Sequence, residues 1–154
     1  MATHVASSEQ VDPFNLGRFV DAQDAGGAYG RALGELRDGY KVSHWMWFVF
    51  PQVAGLGMSQ TSKRFAISSI EEARAYSGHR VLGSRLLHCT EALLRLEGLS
   101  AEEVLGSVDA QKLRSSMTLF ARAGPNVPVY ERVLERYFGG RADPATDRLL
   151  RADR

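Results

Sequence analysis

The sequence predicts an all-α protein, a single compact orthogonal bundle of six to eight helices. Three observations carry that reading. Apolar residues recur at three-to-four-residue spacing through most of the chain. The periodic segments open on Ser, Asp or Asp-Pro and close on Gly, as helix caps require. Alternating strand patterns, internal repeats and low-complexity tracts are absent. A length of 154 residues suits one domain with one core. We place that domain at 12–150, behind a flexible N-terminal tail at 1–11.

The helices are taken in chain order. Asp12-Pro13 predicts a helix start, because a carboxylate caps free N–H groups and proline loses nothing at the first helical position. Phe14, Leu16, Phe19 and Val20 line its face, and Gly26-Gly27 end it. A second helix spans about 28–38, with Tyr29, Leu33 and Leu36 at helical spacing and Gly39 beyond. The run 44–50 reads as a short buried helix, stopped because Pro51 disfavours an α conformation at Phe50. Another helical turn is expected at 59–66. Ser69 with Glu72, and Ser100 with Glu103, have the spacing of capping boxes. Between them a leucine-rich helix covers about 81–97. Asp109 opens a helix through Leu113, Met117 and Phe120, and Pro128 opens the last major one, carrying Val133, Leu134 and Tyr137. One more turn is expected after Pro144.

Composition narrows the function classes. Lys plus Arg is 19 and Asp plus Glu is 18, a net charge of +1. That argues against nucleic-acid binding by bulk charge and is compatible with self-association, so a homodimer is a possible partner state. No run approaches the roughly 18 apolar residues of a membrane span, and the N-terminus lacks the apolar core of a signal peptide. The one cysteine, Cys89, excludes an intrachain disulfide, reads as a buried small hydrophobe, and points to a reducing, cytoplasmic location. The histidines His4, His44, His79 and His88 form no ligand motif, so no metal and no cofactor are expected.

Chemistry concentrates in residues 43–59, SHWMWFVFPQVAGLGMS. Two tryptophans within three residues cannot share one helix face; one belongs in the core, and Trp47 is the candidate floor of a ligand pocket, since flat rings stack on nucleobases. His44 is the candidate general acid/base, because its ordinary pKa lies near neutrality. The Gln52 amide both donates and accepts. Gly55 and Gly57 let backbone N–H groups approach an anion ahead of a helix starting near Ser59, with Lys63 one turn on. In the 109–120 segment, helical spacing sets Lys112 beside Ser115 and Ser116, and Lys112 and Ser115 complete the candidate anion site if that helix faces the aromatic block. Each has a plain alternative: aromatic core, a turn amide, a solvated basic pair, or serines bonded back to their own helix.

The blocks HWMWFVFPQVAGLGMS at 44–59, FAI at 65–67, EARAYSGHRVLGSRLL at 72–87 and DAQKLRSSMTLF at 109–120, with FVDAQ at 19–23, resemble the bacterial domain of unknown function 1810 family. The resemblance implies no established activity. The layout of 72–120, a short helix, a leucine-rich helix and an Asp-led segment, is similar to that of the NADAR group, which is linked to ADP-ribose chemistry and N-glycosidase reactions. No residue here matches that group's catalytic glutamate.

The expected function is binding of a small phosphorylated or nucleotide-like molecule at the 44–59 block. An N-glycosidase-like hydrolysis would add His44 and a carboxylate, for which Asp109 is the candidate. The alternative is a non-catalytic protein-interaction or self-association module.

Overall fold

Asp12 organises the start of the first helix. Its carboxylate accepts from the backbone N–H groups of Leu16 and Gly17 at 2.8 and 2.9 Å. The helix therefore begins at Gly17, one turn later than Pro13 suggests. The structure is a computed structural model that describes residues 11–152. The tail expected at 1–11 lies, apart from Val11, outside the described residues.

Ten α-helical segments make up the chain: α1 (Gly17–Asp24), α2 (Ala28–Asp38), α3 (Met46–Val49), α4 (Gln60–Arg64), α5 (Ile70–Gly78), α6 (Leu82–Arg95), α7 (Ala101–Leu105), α8 (Ser107–Ala123), α9 (Val129–Phe138) and α10 (Pro144–Ala152), counted among the described residues. A 3-10 turn at Ala25–Gly27 joins α1 to α2. Three of the segments, α3, α4 and α7, are single turns of four or five residues. The other seven are longer, from eight to 17 residues. Among the described residues there is no sheet, and the protein is all-α.

Helix α8 is the centre of the bundle. Ten of its 17 residues are buried, from Ala110 to Ala123, and α5, α7, α9 and α10 pack around it. Helix α6 lies against α2, α5 and α9 and buries Leu82, Leu86, Cys89 and Leu93. Each such leucine contributes about 1.5–3 kcal/mol on leaving water. These residues join Phe19, Trp45, Phe50, Tyr76 and Phe120 in one continuous core.

Polar ties hold the helices in register. The Gln23 amide donates to the Phe48 carbonyl at 2.7 Å, and the Tyr76 hydroxyl donates to the same oxygen at 3.1 Å. The Arg18 guanidinium donates to the carbonyls of Phe14, Asn15, Arg64 and Ala66 and to the Glu72 carboxylate. Glu72 differs from expectation here. Ser69 caps α5 by accepting from the Glu72 N–H, but the Glu72 side chain turns to Ser68 and Arg18 rather than back to Ser69. It is a buried clasp, not a surface carboxylate. Ser100 and Glu103 do form the reciprocal box that their spacing predicts.

The C-terminal helix is longer than one turn, spanning nine residues. Its start is fixed by Asp143, which is buried and accepts from Ser115 Oγ at 2.7 Å and Thr146 Oγ1 at 2.6 Å. Arg114 adds bonds to the carbonyls of Arg141 and Ala142.

Candidate functional site

The aromatic block divides at its middle. Partway along α2, Glu35 accepts from the backbone N–H groups of Val42 and Ser43, from Ser43 Oγ and from the Trp45 indole N–H. Burial pushes its carboxyl up, but these four bonds outweigh burial and hold its pKa at about 2. Trp45 is thereby fixed in the core, 1% exposed. Trp47, two residues on, is half-buried.

Proline shapes the next stretch of chain. Phe50 stays out of the α region (φ −125°, ψ 72°), so α3 ends after one turn. Past Pro51 the chain pairs with residues near Ile67. The Ala54 N–H donates to the Ile67 carbonyl and the Ile67 N–H to the Gln52 carbonyl, both at 2.8 Å. This isolated parallel bridge, Val53 to Ile67, gives no periodic signal in the sequence.

Beyond the bridge the chain turns at Gly55, whose φ of 106° suits glycine. A Cβ there would also meet Leu149 of α10 at 3.0 Å. Gly57 is needed for space: a Cβ would come within 2.5 Å of the Ser62 side chain. The turn thus folds onto α4 and walls a hollow of about 140 Å³, open to solvent, lined by Trp47, Gln52, Gly55, Gly57, Ser62, Lys63 and the Phe65–Ala66 wall. Arg18 pins that wall from behind through the carbonyls of Arg64 and Ala66.

Helix α8 reaches the same place. Lys112 Nζ lies 4.5 Å from the centre of the Trp47 ring and 3.6 Å from Asp109. Asp109 also pairs with Lys41 at 2.9 Å, and Lys41 Nζ sits 5.2 Å from the Trp45 ring. Cations and rings therefore alternate along this edge, with Asp109 between two lysines.

Comparison with known proteins decides the family. A family model described as "Protein of unknown function (DUF1810)" matches residues 13–150. The chain belongs to the DUF1810 family. It is similar to the conserved hypothetical protein Rv1873 from Mycobacterium tuberculosis, whose crystal structure aligns with a TM-score of 0.88 and 49% identity, covering 91% of this chain and 99% of that one. No curated protein matches the chain.

In this DUF1810 protein, five of the sequence-derived candidates, Trp47, Gln52, Gly55, Gly57 and Lys63, stand on one hollow. Lys112 reaches it only through the Trp47 ring. Three candidates lie elsewhere. His44 is exposed, ahead of α3 and outside the lining. Ser59 is spent as the cap of α4, accepting from the Ser62 N–H. Ser115 is turned to Asp143, whose carboxylate accepts a hydrogen bond from its hydroxyl. Burial raises the Asp143 pKa, but the bonds from Thr146 and Ser115 outweigh it and hold the carboxyl below its ordinary value. The serine is a structural strut, and no nucleophile arises beside Lys112.

Ser62 is the residue that sequence reasoning misses. It lines the hollow, and its oxygen accepts from Ser59 Oγ at 2.8 Å, which leaves its own proton for a ligand. The sequence does hold a signal: Ser59 and Ser62 are three residues apart at a helix start, the spacing of a capping pair. Cys89 is fully buried, and burial pushes its thiol up to about 12; it packs as a hydrophobe and has no role at the hollow. His79 caps α6 through Nδ1, accepting from the Val81 and Leu82 N–H groups.

Proposed function

We propose that the hollow beside Trp47 binds a small phosphorylated or nucleotide-like molecule. The observation that carries this reading is convergence. A ring, an amide, a hydroxyl and an ammonium, from Trp47, Gln52, Ser62 and Lys63, meet on one concave surface with no carboxylate in its lining. Pockets that bind small molecules combine apolar walls with a few placed polar groups in this way. Lys63 supplies the charge, Ser62 and Gln52 supply donors, and Trp47 supplies a stacking face.

Hydrolysis has less support than binding. An N-glycosidase-like reaction wants a carboxylate near the developing positive charge. Asp109 is held between Lys41 and Lys112, and His44 lies off the hollow. The reading is therefore of a binding site without an acid–base pair. A reducing, cytoplasmic setting is part of it, supported by the lone buried thiol. No helix among the described residues is long and apolar enough to cross a membrane.

A thermal-shift screen with sugar phosphates, nucleotides, ADP-ribose and NAD tests it. A ligand at 100 times its dissociation constant stabilises by about 2.7 kcal/mol. Lys63→Ala is expected to abolish the shift and His44→Ala to leave it. A shift indifferent to Lys63 would overturn this site.

A second reading, self-association, rests on Tyr40, Val42 and Val108, which are 66%, 68% and 70% exposed. Lys41 ties the 40–42 stretch to α7 and α8 through the Val104 carbonyl and Asp109. A concentration-dependent dimer in sedimentation, with no ligand shift, would favour it.

A further inference from the structure

The dimensions and charge of the hollow narrow the ligand further, granted the reading above. A volume of about 140 Å³ is well below the ~300–1,000 Å³ of pockets that enclose drug-sized molecules. It is close to the ~150 Å³ of an engineered cavity that holds one benzene. The space therefore takes one ring, with an attached anionic group at the rim, where the exposed Lys63 stands.

Charge points the same way. Lys63 is the one cation in the lining. Its neighbour Arg64 lies 4.9 Å from the Phe65 ring and outside the lining. Lys112 is neutralised in part by Asp109 and lies over the Trp47 ring, while that ring also lines the hollow. A diphosphate brings two adjacent anionic groups, and within the hollow's own lining only one of them would find a cation. A second ring would also find no second platform, because Phe65 is buried, 6% exposed, within the wall.

We infer that the hollow selects a ligand with one terminal anionic group on a single ring, the ring on Trp47 and the anion at Lys63 and Ser62, and that it discriminates against diphosphate-linked dinucleotides. Trp47 makes the test direct. With Trp45 buried, Trp47 is the solvent-reachable tryptophan, so an occupant changes its fluorescence. The full chain is titrated with ribose 5-phosphate, glucose 6-phosphate and phenyl phosphate, and in parallel with ADP-ribose and NAD. Benzoate against phenyl phosphate separates carboxylate from phosphate recognition.

At least one single-ring monophosphate, or benzoate, is expected to give a saturable change absent from Trp47→Phe. ADP-ribose and NAD should bind at least about tenfold more weakly, and Lys63→Ala should weaken the best binder by at least about tenfold. Thermal shift tracks binding in Trp47→Phe, where fluorescence is silent. If ADP-ribose or NAD binds as tightly as the best single-ring compound, the size and charge argument fails while the phosphorylated-ligand reading stands. If no compound in either series binds, both fall. If binding occurs but ignores Lys63, the inference fails because the anion lies elsewhere.

Discussion

Trp45 and Trp47 are two residues apart and chemically identical, yet the fold uses them in opposite ways. Trp45 is sealed in the core, its indole N–H on Glu35 and its ring beside Phe50. Trp47 stands at the edge of a hollow with a lysine over its ring. The contrast extends to their surroundings. Around Trp45 the polar groups of the 42–45 stretch are matched by one carboxylate. Around Trp47 an amide, a hydroxyl and an ammonium face open space. Where polar groups are satisfied internally, a segment is structural; where they converge on a concavity, it is available for a ligand.

The largest effect should come from breaking the structural side of that pair. Trp45→Ala removes a fully buried ring, a change that costs about 3–5 kcal/mol in cores, and it strips Glu35 of a donor. Trp47→Ala should cost clearly less, since its ring is half-buried and its contact with Lys112 is worth roughly 0.5–1 kcal/mol at an exposed site. Urea denaturation of both variants measures the difference. Equal losses would mean that Trp47 is core too, and the hollow would lose its floor.

Next comes the clasp behind the hollow. Arg18→Ala leaves Glu72 buried without its partner, and removing one member of a buried ion pair costs on the order of 3 kcal/mol or more. The same change frees the carbonyls of Arg64 and Ala66, so the wall at Phe65–Ala66 should loosen and ligand binding weaken together with stability. Lys63→Ala sharpens the comparison from the other side: as an exposed surface change it should move stability by no more than about 0.5 kcal/mol. Lost stability without lost binding in Arg18→Ala would show that the wall is held by the Val53–Ile67 bridge alone.

Much of this architecture was legible in the sequence, for identifiable reasons. Helices such as α6 and α9 announce themselves through periodicity and caps, both local signals. Trp47, Gln52, Gly55, Gly57 and Lys63 lie within 17 positions of one another, so a single turn gathers them. What the sequence concealed depends on distant partners. Ser115 reads as a neighbour of Lys112 until Asp143 arrives from 28 residues away to accept its hydroxyl hydrogen bond. Glu72 reads as a cap until Arg18 arrives from 54 residues away. The Val53–Ile67 bridge has one rung, too short for any alternation to show. His44 sits in the richest block yet points outward, because its neighbours Ser43 and Trp45 are the ones tied to Glu35.

The most specific effect belongs to that glutamate. Glu35→Gln keeps an acceptor oxygen for the three N–H donors, while its amide can donate to Ser43 Oγ, so the geometry survives and the charge goes. Hydrogen bonds to charged groups are stronger than neutral ones, which puts the loss at about 1 kcal/mol near neutral pH. The pH dependence is what marks the cause. The Glu35 carboxyl falls from its ordinary 4.5 to about 2 in the folded protein, so its stabilisation is complete above the unfolded value and drains away as pH drops from about 4.5 towards 2. Glu35→Gln has no such contribution to lose. Melting temperatures at pH 7 should therefore separate the two proteins, and the gap should narrow as pH falls below about 4.5 and close only below about pH 2, while Asp143 and Asp147, also held below their ordinary values, weaken both proteins alike. A gap that stays constant with pH would mean that the charge on Glu35 does not anchor Trp45, and that packing alone sends one tryptophan inward and the other out.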